Sequence, residues 1–319
     1  KRQKLGWMTD HEGKLRIAVQ MIGGVNHRLL YREKENEPFK TVITTNFRET
    51  LSPLFFDFEN NNVVYAASNL GRDKTAIVKY DLNTAKEIGD PIFEHKEVDV
   101  SNLAFSRKRK VLTGVSYTTW KRQITFFDKE TEEIFKRLEK ALGSYEIVIT
   151  STSKAEDKFM VRTYSDRSLG AYYFYDKTTD ILEKIAEVSP WIEEGDMAEM
   201  KAMEYKSRDG LSIQAYLTFP KGKKLAALPL IVNPHGGPWV RDNWGFNPEV
   251  QYLANRGFAV LQMNYRGSTG YGRSFWEKSF KQWGKKMQDD ITDGVNWLIE
   301  GGIVDPKRVA IYGASYGGY

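Results

Sequence analysis

Residues 308–317 read R-V-A-I-Y-G-A-S-Y-G, and this stretch decides the fold of the C-terminal part of the chain. The run at 308–312 is mostly apolar and β-branched, so it predicts a short buried strand. Gly313 and Gly317 flank Ser315 in a G-x-S-x-G pattern, where larger side chains would clash in a sharp turn. The pattern therefore predicts that Ser315 stands on a strained strand-to-helix turn, with its hydroxyl above the edge of a sheet.

Two backbone N–H groups are expected near the hydroxyl of Ser315. In this kind of turn the N–H of the next residue, Tyr316, points at an oxygen that gains negative charge during acyl transfer. A second donor is expected from the loop H-G-G-P at residues 235–238, which follows a predicted buried strand at 228–233. Glycine lets the backbone approach a substrate closely, and each donor can lower the barrier by about 3–4 kcal/mol. The spacing therefore predicts acyl-transfer chemistry at Ser315.

His235 and Gly236 belong to that loop, and His235 is not expected to be the catalytic base. In such a site the base follows the nucleophile in the chain, in the order Ser, then Asp or Glu, then His. We therefore interpret His235 as a structural histidine that holds the loop. The other histidines, at positions 11, 27 and 95, fall in the N-terminal part of the chain and are interpreted as surface or repeat residues.

A third loop, N-Y-R-G-S-T-G-Y-G at residues 264–272, follows a predicted strand at 258–263. Open α/β sheets place their sites at the carboxyl ends of strands, so Tyr265 and Arg266 are predicted to line the active site. The loop does not match the glycine patterns that bind phosphate. The acidic run Q-D-D at 288–290 is interpreted as helix capping or salt bridges, because no histidine lies near enough in the sequence to suggest a metal site.

Strands and helices alternate along the C-terminal part of the chain. A hairpin is predicted at 203–219, followed by the strands at 228–233, 258–263 and 308–312. Helices are predicted between them at 248–256 and 288–300, the second because apolar residues recur at helical spacing on one face. This alternation predicts a parallel α/β sheet.

The first 190 residues repeat a pattern of short strands and turns. Asp81, Asp128 and Asp176 each end an apolar run and precede a polar turn, and they stand 47 and 48 residues apart. Units of this length with about four strands are typical of β-propeller blades, and about four such blades are predicted. An all-β sandwich with coincidental spacing is the alternative. Near Pro190 the composition becomes acidic, which predicts a linker.

The composition excludes several classes of function. The 319 residues carry a net charge of +5 and no cysteine, which excludes disulfides, thiol catalysis and cysteine-bound metals. The longest apolar run has eight residues, at 225–232, whereas a membrane-spanning helix needs about 20. The basic run at 107–110 is interpreted as a hairpin tip. We therefore expect a soluble protein with no nucleic-acid or membrane partner, in the cytoplasm or a bacterial periplasm.

Residues 203–319 resemble the catalytic domain of the prolyl oligopeptidase family of serine peptidases, in its acylaminoacyl-peptidase and dipeptidyl-peptidase branch. The resemblance rests on four matches taken together, and these are S-R-D-G at 207–210, H-G-G-P-W at 235–239, N-Y-R-G-S with G-Y-G at 264–272, and G-A-S-Y-G-G-Y at 313–319. It implies an N-terminal β-propeller, here partial with about four blades, followed by the first half of an α/β-hydrolase domain. The corresponding boundaries are 1–192 for the blades, 193–202 for the linker and 203–319 for the hydrolase part.

The resemblance also implies roles for single residues. Ser315 would be the nucleophile, and the N–H groups of Tyr316 and Gly237 would form the oxyanion hole. The propeller would limit access to short peptides, and no metal or cofactor would be needed. In the family the acid and base follow the serine, whereas this sequence stops at Tyr319. We therefore expect a partial sequence, incomplete at both ends, that is inactive by itself.

The resulting hypothesis is a serine peptidase that releases aminoacyl, acylaminoacyl or dipeptidyl units from short peptides. A carboxylesterase on the same fold is one alternative. A propeller scaffold that carries a non-catalytic hydrolase half is another. The preference for the substrate N-terminus and the oligomeric state, including a homo-oligomer, stay open.

Overall fold

The computed structural model describes residues 3–319, with side chains from residue 6 onward. Contacts divide the chain into two compact units. The first contains Lys1–Thr119, Gln123–Phe127 and Gly270–Arg273, and the second contains Trp120–Arg122, Asp128–Thr269 and Ser274–Tyr319.

Antiparallel sheets build the first unit. Two sheets have four strands each, and a third has three strands in the order β11-β10-β9. Their strands are β1 (Gln3–Thr9), β2 (Leu15–Ile22), β3 (Asn26–Tyr31), β4 (Lys40–Thr45), β5 (Leu51–Phe56), β6 (Val63–Ser68), β7 (Ala76–Asp81), β8 (Lys86–Phe93), β9 (Val100–Ser106), β10 (Val111–Thr118) and β11 (Arg122–Phe126). Successive strands pair as neighbours, and buried residues such as Ile17, Val64 and Ile77 fill the cores.

A helix stands where the repeat pattern predicts a turn and a further strand. Helix α1 (Lys129–Leu142) follows Asp128, whose side chain accepts a hydrogen bond from the backbone N–H of Thr131. The residues Ile134, Phe135 and Leu138 share its buried face, which is the spacing of an amphipathic helix. The prediction of about four strands in every repeat is therefore wrong for the third one, which has three strands and this helix.

The second unit contains α1 and a four-stranded antiparallel sheet. Its strands are β12 (Glu146–Thr152), β13 (Lys158–Tyr164), β14 (Ala171–Asp176) and β15 (Ile181–Glu187). The contacts group this sheet with the C-terminal part of the chain, whereas the sequence analysis groups it with the repeats. The boundaries at 192 and 203 stay a prediction.

A five-stranded mixed sheet follows in the same unit, in the order β16-β17-β19-β18-β20. Strands β16, β17 and β19 pair antiparallel, and β19, β18 and β20 run parallel. The elements of this part are β16 (Met200–Lys206), β17 (Ser212–Thr218), β18 (Leu228–Val232), α2 (Pro248–Asn255), β19 (Ala259–Asn264), α3 (Arg273–Glu277), α4 (Lys286–Glu300) and β20 (Val304–Ile311). The predicted hairpin and the α/β alternation are confirmed.

Burial differs between the strands of this sheet. Leu230, Leu261 and Leu217, on three neighbouring strands, are at most 1% exposed and form the core with the apolar face of α4. Strand β20 lies at an edge of the described sheet, and Ile311 is 60% exposed. The prediction of a buried strand at 308–312 is therefore wrong for the described residues, because β20 pairs with a single strand of the described sheet, β18.

Candidate active site

The turn after β20 places Ser315 in an unusual backbone conformation. Ser315 begins a short 3-10 turn, Ser315–Gly318, and has a φ of 55°. This left-handed region is uncommon for residues other than glycine and is associated with functional sites. A Cβ on Gly313 would lie 2.3 Å from the carbonyl oxygen of Gly317. The steric need for glycine that the G-x-S-x-G pattern suggests is thus present in the structure.

The H-G-G-P loop lies directly against this turn. A Cβ on Gly236 would stand 3.4 Å from the Cβ and 3.9 Å from the Oγ of Ser315. A Cβ on Gly317 would lie 2.1 Å from the carbonyl oxygen of Pro234. Gly237 has a φ of 106°, which only glycine adopts easily. The fold therefore brings together the segments that carry Ser315, Tyr316, Gly236 and Gly237.

His235 is held by the loop that follows β19. Its Nε2 lies 2.8 Å from the Oγ of Ser268, and its Nδ1 lies 2.8 Å from the carbonyl oxygen of Gly236. The hydroxyl of Tyr265 donates to the carbonyl oxygen of His235 at 2.6 Å, and the two rings stack 4.4 Å apart. Burial lowers the pKa of His235. Both ring nitrogens are thus engaged within the loops, which favours the interpretation of His235 as a structural histidine.

Arg266 joins three segments through two carboxylates. Its guanidinium donates to Asp290 at 2.8 and 2.6 Å and to Asp209 at 2.9 and 3.0 Å. Asp290 lies on α4, and Asp209 lies in the turn between β16 and β17. The hydrogen bond from Arg266 holds the pKa of Asp209 well below its usual range. The side chain of Arg266 therefore ends in an ion-pair network, which also confirms the salt-bridge interpretation of the acidic run at 288–290.

Part of the third loop belongs to the first unit. Within that unit, the backbone N–H of Asp99 donates to Gly270 O at 3.0 Å, and the ammonium of Lys74 donates to Tyr271 O at 2.7 Å. The sequence analysis treats 264–272 as one wall of a site. In the structure, the loop residues up to Thr269 belong to the second unit, and Gly270–Arg273 belong to the first unit. Ser268, which contacts His235, lies in the part that belongs to the second unit.

Three residues of the site have no role in the sequence analysis. Asp209 lies in the S-R-D-G motif and Ser268 in the N-Y-R-G-S motif, so their place in these motifs could have marked them as site residues. Asp242 lies in the loop after Trp239, and no spacing in the sequence marks it. Its backbone and side chain contact Gln262 and Asn264 at the end of β19.

Metal ligands and membrane helices can be assessed for the part of the chain that the structure describes. Residues 3–319 contain no group of three or more His, Asp or Glu side chains placed to hold a metal ion. None of the helices in this range is long and apolar enough to cross a membrane.

The close backbone approach at Gly317 gives a testable prediction. Gly317→Ala should lower the free energy of unfolding by about 1–3 kcal/mol, because the added Cβ meets a backbone oxygen that cannot move aside. Gly195→Ala is the matched control, since a Cβ there meets no atom within 4 Å. Denaturant unfolding of the longest natural form of the protein measures both. Equal stability of the two variants would contradict the packing described here.

Comparisons with known proteins find one family and several relatives. Residues 244–319 match the family described as the Prolyl oligopeptidase family. Dipeptidyl aminopeptidase BIII of Pseudoxanthomonas mexicana is 32% identical over 290 residues, which are 88% of this chain and 40% of that protein. Dipeptidyl peptidase family member 6 of Caenorhabditis elegans is 27% identical over 341 residues, covering 97% of this chain and 46% of that protein. The chain spans less than half the length of both relatives.

The fold has counterparts among solved structures. A puromycin-hydrolyzing peptidase of Mycobacterium tuberculosis superimposes with a TM-score of 0.75 at 21% identity, covering 99% of this chain and 49% of that one. At this identity the likeness concerns the fold alone. The family match at 244–319 and the relative that aligns with 88% of the chain carry the assignment. Residues 244–319 form part of a prolyl oligopeptidase family domain.

Proposed function

We propose that the protein is a serine peptidase that cleaves short peptides through an acyl-enzyme on Ser315. The observation that carries this proposal is the left-handed backbone of Ser315 packed against Gly236 of the H-G-G-P loop. A serine held in this way presents its hydroxyl beside two glycine-rich backbone segments, as acyl transfer requires. The names of the relatives, which include dipeptidyl peptidases and acylamino-acid-releasing enzymes, support a peptide substrate.

The reaction follows from the roles of these groups. The Oγ of Ser315 attacks the scissile carbonyl carbon, and a histidine base takes the hydroxyl proton. The N–H groups of Tyr316 and Gly237 donate to the oxygen that becomes negative. The amine leaves with the proton from the base, and water then releases the acyl group from Ser315. In this proposal the base and the carboxylate that orients it follow Ser315 in the chain, since His235 is engaged by Ser268 and Gly236.

The proposal extends to the architecture. We infer that the mixed sheet from β16 to β20 is the first half of an α/β-hydrolase domain, because parallel strands lead into the turn at Ser315. We also infer that the antiparallel sheets are about four propeller blades, which would restrict access to short peptides.

The substrate class is tested with matched substrates. The longest natural form of the protein is assayed with aminoacyl, dipeptidyl and acylaminoacyl amides, and with esters that carry the same acyl groups. Hydrolysis of at least one amide class, with a kcat/KM comparable to that of its ester, supports a peptidase. Turnover of esters alone would make the protein a carboxylesterase. No turnover and no reaction with a serine-directed probe would favour the non-catalytic scaffold.

A further inference from the structure

The loop that carries Gly237 is fastened to β19 at Asp242. Gln262 and Asn264 are two residues apart on this strand, so their side chains leave the same face of the sheet. Both are buried, with exposures of 4% and 0%. Asn264 accepts a hydrogen bond from the backbone N–H of Asp242 at 2.7 Å and donates to its carbonyl oxygen at 3.1 Å. Gln262 donates from Nε2 to Asp242 Oδ1 at 3.2 Å.

The remaining oxygens of Gln262 and Asp242 lack donors. Among the described residues, neither Asp242 Oδ2 nor Gln262 Oε1 has a hydrogen-bond partner, and both atoms are buried. Leaving a buried acceptor unpaired is costly, and native structures rarely do so. An ionised carboxylate has no hydrogen to offer to the glutamine oxygen. A proton on Oδ2 would supply that hydrogen, and acid and amide would then be joined by two hydrogen bonds.

We propose that Asp242 is a neutral carboxylic acid paired with the amide of Gln262, and that this pair positions the loop 235–242, which carries the candidate oxyanion donor Gly237. The positioning role rests on the proposed function, whereas the acid–amide pair does not. Asp242 acts through the loop and touches no reacting atom. Its backbone is held by Asn264 and its side chain by Gln262, so the loop is fixed only seven residues after His235.

The surroundings of Asp242 agree with a bound proton. Burial raises the pKa of Asp242 to about 7, against the opposing effects of the hydrogen bond from Gln262 and the charge of Arg241. The other titratable groups that face it are Tyr216 on β17 and Tyr265 after β19. Burial is the main cause that raises the pKa of both phenols, and the charge of ionised Asp242 raises it further. Ionisation of Asp242 therefore occurs near neutral pH and leaves Asp242 Oδ2 and Gln262 Oε1 buried without a hydrogen-bond donor.

Infrared spectroscopy with Asp242→Asn tests the pair directly. Asparagine replaces the O–H with an N–H, so the pairing with Gln262 persists without a titratable proton. At pH 6 the longest natural form of the wild-type protein should show the carbonyl band of a buried protonated carboxylic acid, and Asp242→Asn should lack it. Asp196→Asn, at an exposed aspartate, is the control that should keep the band. Absence of the band in the wild type overturns the proposal.

Denaturant unfolding gives a second readout with a definite sign. Between about pH 5 and pH 7 the folded chain keeps a proton that the unfolded chain has lost, so stability falls as pH rises. Relative to Asp242→Asn, the wild-type folding equilibrium constant should decrease about tenfold per pH unit in this window. A parallel pH dependence of the two proteins would overturn the proposal.

The positioning role has its own measurement in the longest natural form of the protein. The rate of labelling by a fluorophosphonate probe should fall above pH 7 in the wild type relative to Asp242→Asn. Ionised Asp242 can no longer donate the proposed hydrogen bond to Gln262 Oε1, so the loop is held less firmly. Identical pH profiles would overturn the positioning role. If no probe reacts while the infrared band is present, the proposed function fails and the acid–amide pair stands.

Discussion

Replacing Ser315 with alanine should lower kcat for peptide hydrolysis by about 10⁶-fold in the longest natural form of the protein. In the proposed mechanism this change removes the attacking oxygen of Ser315. Alanine keeps the Cβ that the backbone at φ 55° already accommodates, so thermal unfolding should be unchanged. Steady-state kinetics and a melting curve measure the two effects. Ser101→Ala, at an exposed serine of the first unit, is the control that should leave kcat unchanged.

The size of this effect separates a nucleophile from a residue that only shapes the turn. Loss of a positioning hydroxyl would reduce kcat by a much smaller factor. If Ser315→Ala retains more than about 1% of wild-type kcat, an acyl-enzyme on Ser315 is excluded, since residual catalysis without the nucleophile is far lower.

Replacing Arg266 with methionine should lower the free energy of unfolding by about 3–5 kcal/mol. The side chain of Arg266 is 4% exposed and that of Asp290 is 0% exposed, so the substitution leaves a buried carboxylate without its partner. Methionine retains most of the apolar volume, which confines the change to the ion pair. Denaturant unfolding of the longest natural form of the protein at pH 7 measures the loss.

Arg208→Met is the matched control for this prediction. Arg208 also pairs with a carboxylate of α4, Asp293; the side chain of Arg208 is 54% exposed and that of Asp293 is 11% exposed. Without the guanidinium, Asp293 still accepts hydrogen bonds from the Ser207 hydroxyl and from the backbone N–H of residue 208. The guanidinium itself is solvated and contributes little, so this variant should lose much less stability than Arg266→Met. Adding Asp290→Leu to Arg266→Met should restore part of the loss, because the unpaired charge is then removed. Equal stability of the two arginine variants would contradict the network described here.

The same network predicts a direction for the pH dependence at low pH. The hydrogen bond from Arg266 holds the pKa of Asp209 below the value of 3.8 that a free aspartate has. The contribution of this pair is therefore fully present above about pH 4 and is lost as the pH falls through the lowered pKa. Arg266→Met should lose less stability on acidification than the wild type.

Local chemistry explains which parts of the fold could be predicted from the sequence. The strands at 228–233 and 258–263 and the helix at 288–300 carry apolar patterns that few other structures satisfy. The turn at Ser315 could be predicted because it requires glycine at positions 313 and 317 for steric reasons. This requirement is visible within five consecutive residues of the sequence. Such features depend on neighbours in the chain, so a single sequence contains the information.

Features that depend on tertiary structure could not be predicted. Asp81, Asp128 and Asp176 each accept hydrogen bonds from backbone N–H groups two or three residues later, and the same bonds serve a turn or a helix cap. The recurring aspartate therefore does not distinguish helix α1 from a turn that leads into a further strand. The pairing of Arg266 with Asp209 joins residues 57 positions apart. The burial of Asp242 likewise arises only when its loop crosses β19.

The most direct test of the account is the site at which a fluorophosphonate probe reacts. The longest natural form of the protein is incubated with the probe, its intact mass is measured, and the modified peptide is sequenced by mass spectrometry. The account predicts one adduct, on the peptide that contains Ser315, and none in Ser315→Ala. An adduct on a different serine, or no adduct in the wild-type protein, would contradict a serine peptidase built around this turn.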